Sequence, residues 1–203
     1  MGRIILVTGG ARSGKSAFAE ELAGSGNVVC VATGEECDEE MAERIARHRR
    51  RRPAGWITIE TRLELGKALA AAPSGASAVL VDCLATWTSN YLILLDESEG
   101  AGWLRRVAEL EERLTEELLA CIRTAREAAW DLILVTNEVG YGVVPPTPLG
   151  RVFRDMLGRI NRAAAAEADS VFMVVAGMAV DWKRLAATQE RGAASQRPEE
   201  GGK

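Results

Sequence analysis

Gly9-Gly10-Ala11-Arg12-Ser13-Gly14-Lys15-Ser16 carries the spacing G-x-x-x-x-G-K-[ST]. An apolar run at residues 4–7 precedes it and a helical pattern at 17–23 follows, the strand–turn–helix setting in which this spacing binds phosphate. The glycines let consecutive backbone N–H groups turn inward at the positive end of the following helix, where they cradle phosphate oxygens. Lys15 supplies a cation for the β- and γ-phosphates, and Ser16 offers a hydroxyl to Mg²⁺. A second apolar run, residues 78–81, ends in Asp82, the type of strand-end carboxylate that holds the Mg²⁺ shell of a bound nucleotide. Strand-end acids are common, and Asp82 gains meaning from its pairing with Lys15 and Ser16.

His48, the single histidine, stands among Arg47, Arg49, Arg50, Arg51 and Arg52 near the end of a helical stretch at 38–52, closed by Pro53. Acids fill the first turn of that stretch, with Asp38 as N-cap, and bases fill the last, as the helix dipole favours. Three readings are open. The run is a solvated basic helix end. It touches nucleic acid, although no interleaved aromatics accompany it. Or the guanidiniums disfavour an imidazolium, keep His48 neutral and nucleophilic, and grip polyphosphate oxygens, so that His48 attacks a nucleoside phosphate and carries it covalently.

These residues need a scaffold that brings distant strand ends together. Buried-type runs at 4–8, 28–33, 78–82, 131–136 and 170–175 alternate with helical stretches at 38–52, 63–71, 86–96, 103–130 and 149–168. A short strand at 56–60 ends in Glu60, and residues 176–183 offer an edge piece. The pattern predicts an α/β fold: a doubly wound, mostly parallel sheet with helices on both faces, ligands lying beyond the strands' carboxyl ends. On that rule Thr33, Gly34 and Glu35 face the same crevice as the phosphate loop. In the long helix, Leu104, Val107, Leu114, Leu118, Ile122 and Ala125 mark the apolar stripe. The glycines and prolines of 137–146 make a shaped loop at a strand's carboxyl end.

With 203 residues, 47% hydrophobic and 27% charged, the chain suits one domain at residues 1–185, with a disordered tail at 186–203 where Gln, Arg, Gly, Ser and Glu take over. A net charge of -4 weighs against general nucleic-acid binding. Cys30, Cys37, Cys83 and Cys121 form no C-x-x-C pair and read as core residues or idle thiols in a reducing cytoplasm. No run suggests a membrane span.

The motif set Val7-Thr8-Gly9-Gly10-Ala11-Arg12-Ser13-Gly14-Lys15-Ser16, Arg44-Ile45 with His48-Arg49, Val81-Asp82-Cys83 with Thr88 and Asn90, Asn137-Glu138-Val139-Gly140, and Phe153-Arg154-Asp155 with Asn161 resembles the bifunctional adenosylcobinamide kinase / adenosylcobinamide-phosphate guanylyltransferase family over residues 3–178. The resemblance implies a RecA-like P-loop NTPase fold and a homotrimer. It also implies phosphorylation of adenosylcobinamide by ATP or GTP, then GMP transfer from GTP through a guanylyl-histidine at His48. Carried over by position, Gly9, Gly10, Ala11, Arg12, Ser13, Gly14, Lys15, Ser16, Thr33, Gly34, Glu35, Arg49, Arg50, Arg51, Arg52, Glu60 and Asp82 contact the nucleotide, and Ser16 and Asp82 hold Mg²⁺. Gly34 replaces a common Ala or Ser, and Arg162 a common Gln. The residues taken without the resemblance leave room for a kinase of another small alcohol or an NTPase switch module.

Overall fold

In a computed structural model of the chain, residues 2–35, 39–95, 101–128 and 130–195 are described. Their order is β1 (Ile4–Thr8), α1 (Lys15–Ala23), β2 (Val28–Ala32), α2 (Glu39–Arg51), β3 (Ile57–Glu60), α3 (Leu65–Ala70), β4 (Ala78–Asp82), α4 (Leu84–Leu92), α5 (Ala101–Ala128), β5 (Asp131–Val135), α6 (Pro148–Glu167), β6 (Ser170–Val175), β7 (Met178–Asp181) and α7 (Trp182–Ser195). Asp38 and Cys37 lie outside the described residues.

The strands form one sheet in the order β3-β2-β4-β5-β1-β6-β7, parallel throughout except for β7, which pairs antiparallel with β6. Because helices cover both faces, the central strands read as continuous apolar runs, and their side chains alternate between two cores. Ile4, Leu6, Val29, Val31, Val79, Val81, Leu132 and Leu134 meet α3, α4, α5 and α6 on one side. Ile5, Val7, Cys30, Leu80, Ile133 and Val135 meet Ala19 and Ala23 of α1 and Trp56 on the other. The strand between β1 and β4 is β5. It sets the phosphate loop after β1 and Asp82 at the end of β4 two strands apart, on the same carboxyl edge.

Two expectations need correction. On α5 the buried row is Trp103, Leu110, Leu114, Leu118, Ile122 and Ala125, while Leu104 is 60% exposed. At about 100° per residue Leu104 falls at the edge of this row, at the same angle as Ile122, so helix phase alone does not account for its exposure. Helix α7 continues to Ser195, through ten of the residues expected to be disordered. Ala186, Ala187, Ala193 and Ala194, mixed with Gln, Glu and Arg, are strong helix formers, so a polar composition there is compatible with helix. Residues 196–203 lie outside the described residues.

Candidate functional site

The phosphate loop is held from three directions. Ser13 N donates to Gly10 O at 3.3 Å, Gly177 N in the β6–β7 turn donates to Ser13 O at 2.8 Å, and Glu138 N after β5 donates to Gly9 O at 3.1 Å. A Cβ on Gly9 would sit 2.5 Å from Val174 O, so no larger residue fits there without moving backbone. Gly14 caps α1 at φ 96°, a conformation that favours glycine, and no side chain caps the helix start. The first amides of α1 are thereby left for an external acceptor, and that acceptor is best anionic.

Lys15 is buried, and its Nζ donates to Gly10 O at 3.2 Å, placing the cation against the loop's own backbone. Ser16 Oγ lies 3.5 Å from Asp82 Oδ1, so the two expected metal ligands meet although 66 residues separate them. The next residue, Cys83, accepts from Thr86 N through its sulfur and caps α4. Burial, with Asp82 alongside, pushes the Cys83 thiol up. Burial likewise pushes Cys30 up to about 12, with Asp82 and Glu20 adding to it and Arg52 opposing. Both sulfurs therefore stay protonated and are poor nucleophiles.

Thr33 is fully buried. Its Oγ1 donates to Cys83 O and accepts from Cys83 N, each at 2.8 Å, so it joins the tip of β2 to the tip of β4 instead of facing the crevice. Asn90, on α4, donates to Thr33 O at 2.9 Å and Arg62 O at 3.0 Å. Asn90→Ala leaves two carbonyls without donors and is expected to destabilise the fold by about 2–4 kcal/mol, at roughly 1–3 kcal/mol per unsatisfied group. Thermal denaturation checks this value.

Helix α2 lies along the crevice. Glu43, Arg47 and Arg51, four residues apart, face the phosphate loop across a cleft of about 590 Å³. Ile45, Arg49 and Arg52 line a cavity of about 120 Å³ with Gly34, Glu60, Asp82 and Asn137. Gly34, Glu35 and Arg62 border an adjoining recess of about 510 Å³, where Arg62 pairs with Glu35 at 3.1 Å. Arg49 pairs with Glu60, and Arg51 with Glu20 at 3.0 Å. Arg50 is exposed and borders none of these spaces. A Cβ on Gly34 would lie 3.7 Å from Ile45 Cδ1, ordinary contact, so this glycine leaves room without relieving a clash. Arg162 is exposed on α6. His48 belongs to α2, between these two rows of arginines; its side chain lies outside the described residues.

The sequence reading did not single out Asn137, Thr86 or Ile45 as site residues. Asn137 emerges between the phosphate loop and Asp82 because β5 lies between β1 and β4, and strand order is not visible in a linear pattern. Asn161 on α6 holds this tip in place: its Oδ1 accepts from Thr136 Oγ1 at 2.7 Å and its Nδ2 donates to Asn137 O at 3.0 Å.

The family model described as cobinamide kinase / cobinamide phosphate guanyltransferase matches residues 5–182. A bifunctional adenosylcobalamin biosynthesis protein, CobU, of Salmonella typhimurium is 41% identical over 182 residues, covering 89% of this chain and 99% of that protein. The protein of that name in Escherichia coli is 40% identical with the same coverage. The corresponding protein CobP of Pseudomonas aeruginosa is 39% identical over 180 residues, 88% of this chain and 96% of its own length. A phosphate loop facing a strand-end carboxylate, an arginine-rich helix alongside, and matches spanning nearly whole relatives lead to one conclusion: the chain belongs to the cobinamide kinase / cobinamide phosphate guanyltransferase family.

Proposed function

We propose that this chain transfers the γ-phosphoryl group of ATP or GTP to the hydroxyl on the aminopropanol arm of adenosylcobinamide. It then transfers GMP from GTP to the new phosphate through a guanylyl group on His48, working as a cytoplasmic homotrimer. The observation that carries the reading is the placement of α2, whose arginines border both the cleft over the phosphate loop and the cavity at Asp82. The helix that contains His48 thus flanks the crevice proposed for the triphosphate.

Ser16 and Asp82 present the oxygen donors that a hard divalent cation takes. A magnesium ion of this kind takes one or two protein oxygens together with phosphates and water. Mg²⁺, when bound, supplies charge neutralisation of the triphosphate. The amides of Gly10 to Ser16 and Lys15 hold phosphate oxygens, and Gly34, Glu35 and Glu60 border the nucleoside side. Of the arginine run, Arg49, Arg51 and Arg52 are placed to steady phosphates, since phosphoryl transfer needs mainly positioning and charge stabilisation. In the second reaction an imidazole nitrogen of His48 bonds to the α-phosphorus as the α–β bridging P–O bond breaks and pyrophosphate leaves. An oxygen of the acceptor phosphate then bonds to that phosphorus as the P–N bond breaks, freeing His48.

Adenosylcobinamide supplied with ATP and Mg²⁺ is expected to yield its phosphate. Subsequent GTP is expected to yield adenosyl-GDP-cobinamide with equimolar pyrophosphate. Phosphorylation with no pyrophosphate release contradicts the guanylyl half of the proposal.

A further inference from the structure

The segment between β5 and α6 braces the phosphate loop at its start and is apolar at its tip. Tyr141 is 82% exposed, Val143 95% and Val144 60%. Around them the backbone is pinned. Glu138 Oε1 accepts from Gly140 N at 2.6 Å, Arg151 Nη1 donates to Pro145 O at 3.1 Å and Pro146 O at 2.8 Å, and Thr147 caps α6. Glu138 N is bonded to Gly9 O, so the loop starts from the backbone of the phosphate loop itself. At its root Asn137 lines the cavity with Asp82, and its Oδ1 is buried without a hydrogen-bond partner. A buried acceptor left alone is costly, which points to a donor brought by a ligand.

We infer that residues 137–146 form the binding lip for the acceptor substrate. Tyr141, Val143 and Val144 pack on the apolar face of a large ring system, while the Asn137 carbonyl receives the hydroxyl of the arm to be phosphorylated. This rests on the function proposed above and names the surface that recognises its corrinoid. Exposed apolar side chains on a fixed loop lose little freedom when they bind, so their contact area converts well into affinity. A bulky acceptor whose reactive arm reaches Asp82 must lay its body near that cavity, and this loop starts from the cavity wall at Asn137. Three side chains on one loop also fall well short of the roughly 800 Å² per partner that a stable protein interface uses, which favours a small molecule over a second copy.

The test is the double variant Tyr141→Ser, Val143→Ser, with KM measured for adenosylcobinamide and for its phosphate. Labelling by α-labelled GTP alone, in which no acceptor takes part, and native mass are measured in parallel. KM for both corrinoids is expected to rise about tenfold or more, in the range that lost apolar contacts produce, with GTP labelling and mass as in the wild type. Unchanged KM overturns the inference. So does a fall in GTP labelling, which would make the loop part of the nucleotide site, or a lower native mass, which would make it a subunit contact. If the wild type itself takes no label, the guanylyl reading fails instead, and the loop is then judged on the kinase KM alone.

Discussion

His48→Ala is expected to lower guanylyl transfer by about 10³-fold or more, because deletion of a covalent nucleophile removes the route and not just one contact along it. The phosphorylation of adenosylcobinamide should persist within about tenfold of wild type, since that step requires positioning and charge stabilisation from the phosphate loop, with no protein nucleophile. The split is what distinguishes a nucleophile from a structural residue: a histidine needed only to hold α2 in place would lower both reactions together. Arg49 and Arg51, tied to Glu60 and Glu20, give α2 anchors that do not depend on residue 48. Separate assays of ADP formation and pyrophosphate release measure the two rates.

Lys15→Ala is expected to depress both reactions by about 10²-fold or more, the usual cost of a lost charged contact to a developing transition state in a water-poor site. Lys15 is 5% exposed, and its ammonium lies against Gly10 O at the centre of the loop that both reactions are proposed to share. The same two assays read the effect, and a near-normal rate in either would show that the reactions do not share this site.

The chemistry-bearing residues were legible in the sequence because their signals are local. The phosphate loop is a contiguous spacing, Asp82 ends an apolar run, and the arginines around His48 are consecutive. Each parallel strand buried on both faces announced itself as a short apolar run, and β7 matched the edge piece expected at 176–183. What escaped depended on the third dimension. The rule that residues beyond a strand's carboxyl end face the crevice put Thr33 there, whereas its side chain turns inward to Cys83 and Gly34 takes the cavity wall. Asn137 became a site residue only once β5 was seen between β1 and β4. Along α5 the apolar stripe starts, on the sequence pattern, at Leu104, whereas the packing of α5 on α3 and α6 buries Trp103 and leaves Leu104 exposed. Of the five tryptophans, Trp56, Trp87, Trp103 and Trp130 are buried and Trp182 is half-exposed, so none of the four buried rings offers a face to a large ligand.

The most direct measurement is incubation of the full chain with Mg²⁺ and GTP labelled at either the α or the γ position, followed by proteolysis and mapping of the modified peptide. An acid-labile guanylyl group from α-labelled GTP only, carried on His48, is the result this account predicts. Label on another side chain, or full conversion of adenosylcobinamide phosphate by a protein that never becomes labelled, would contradict it.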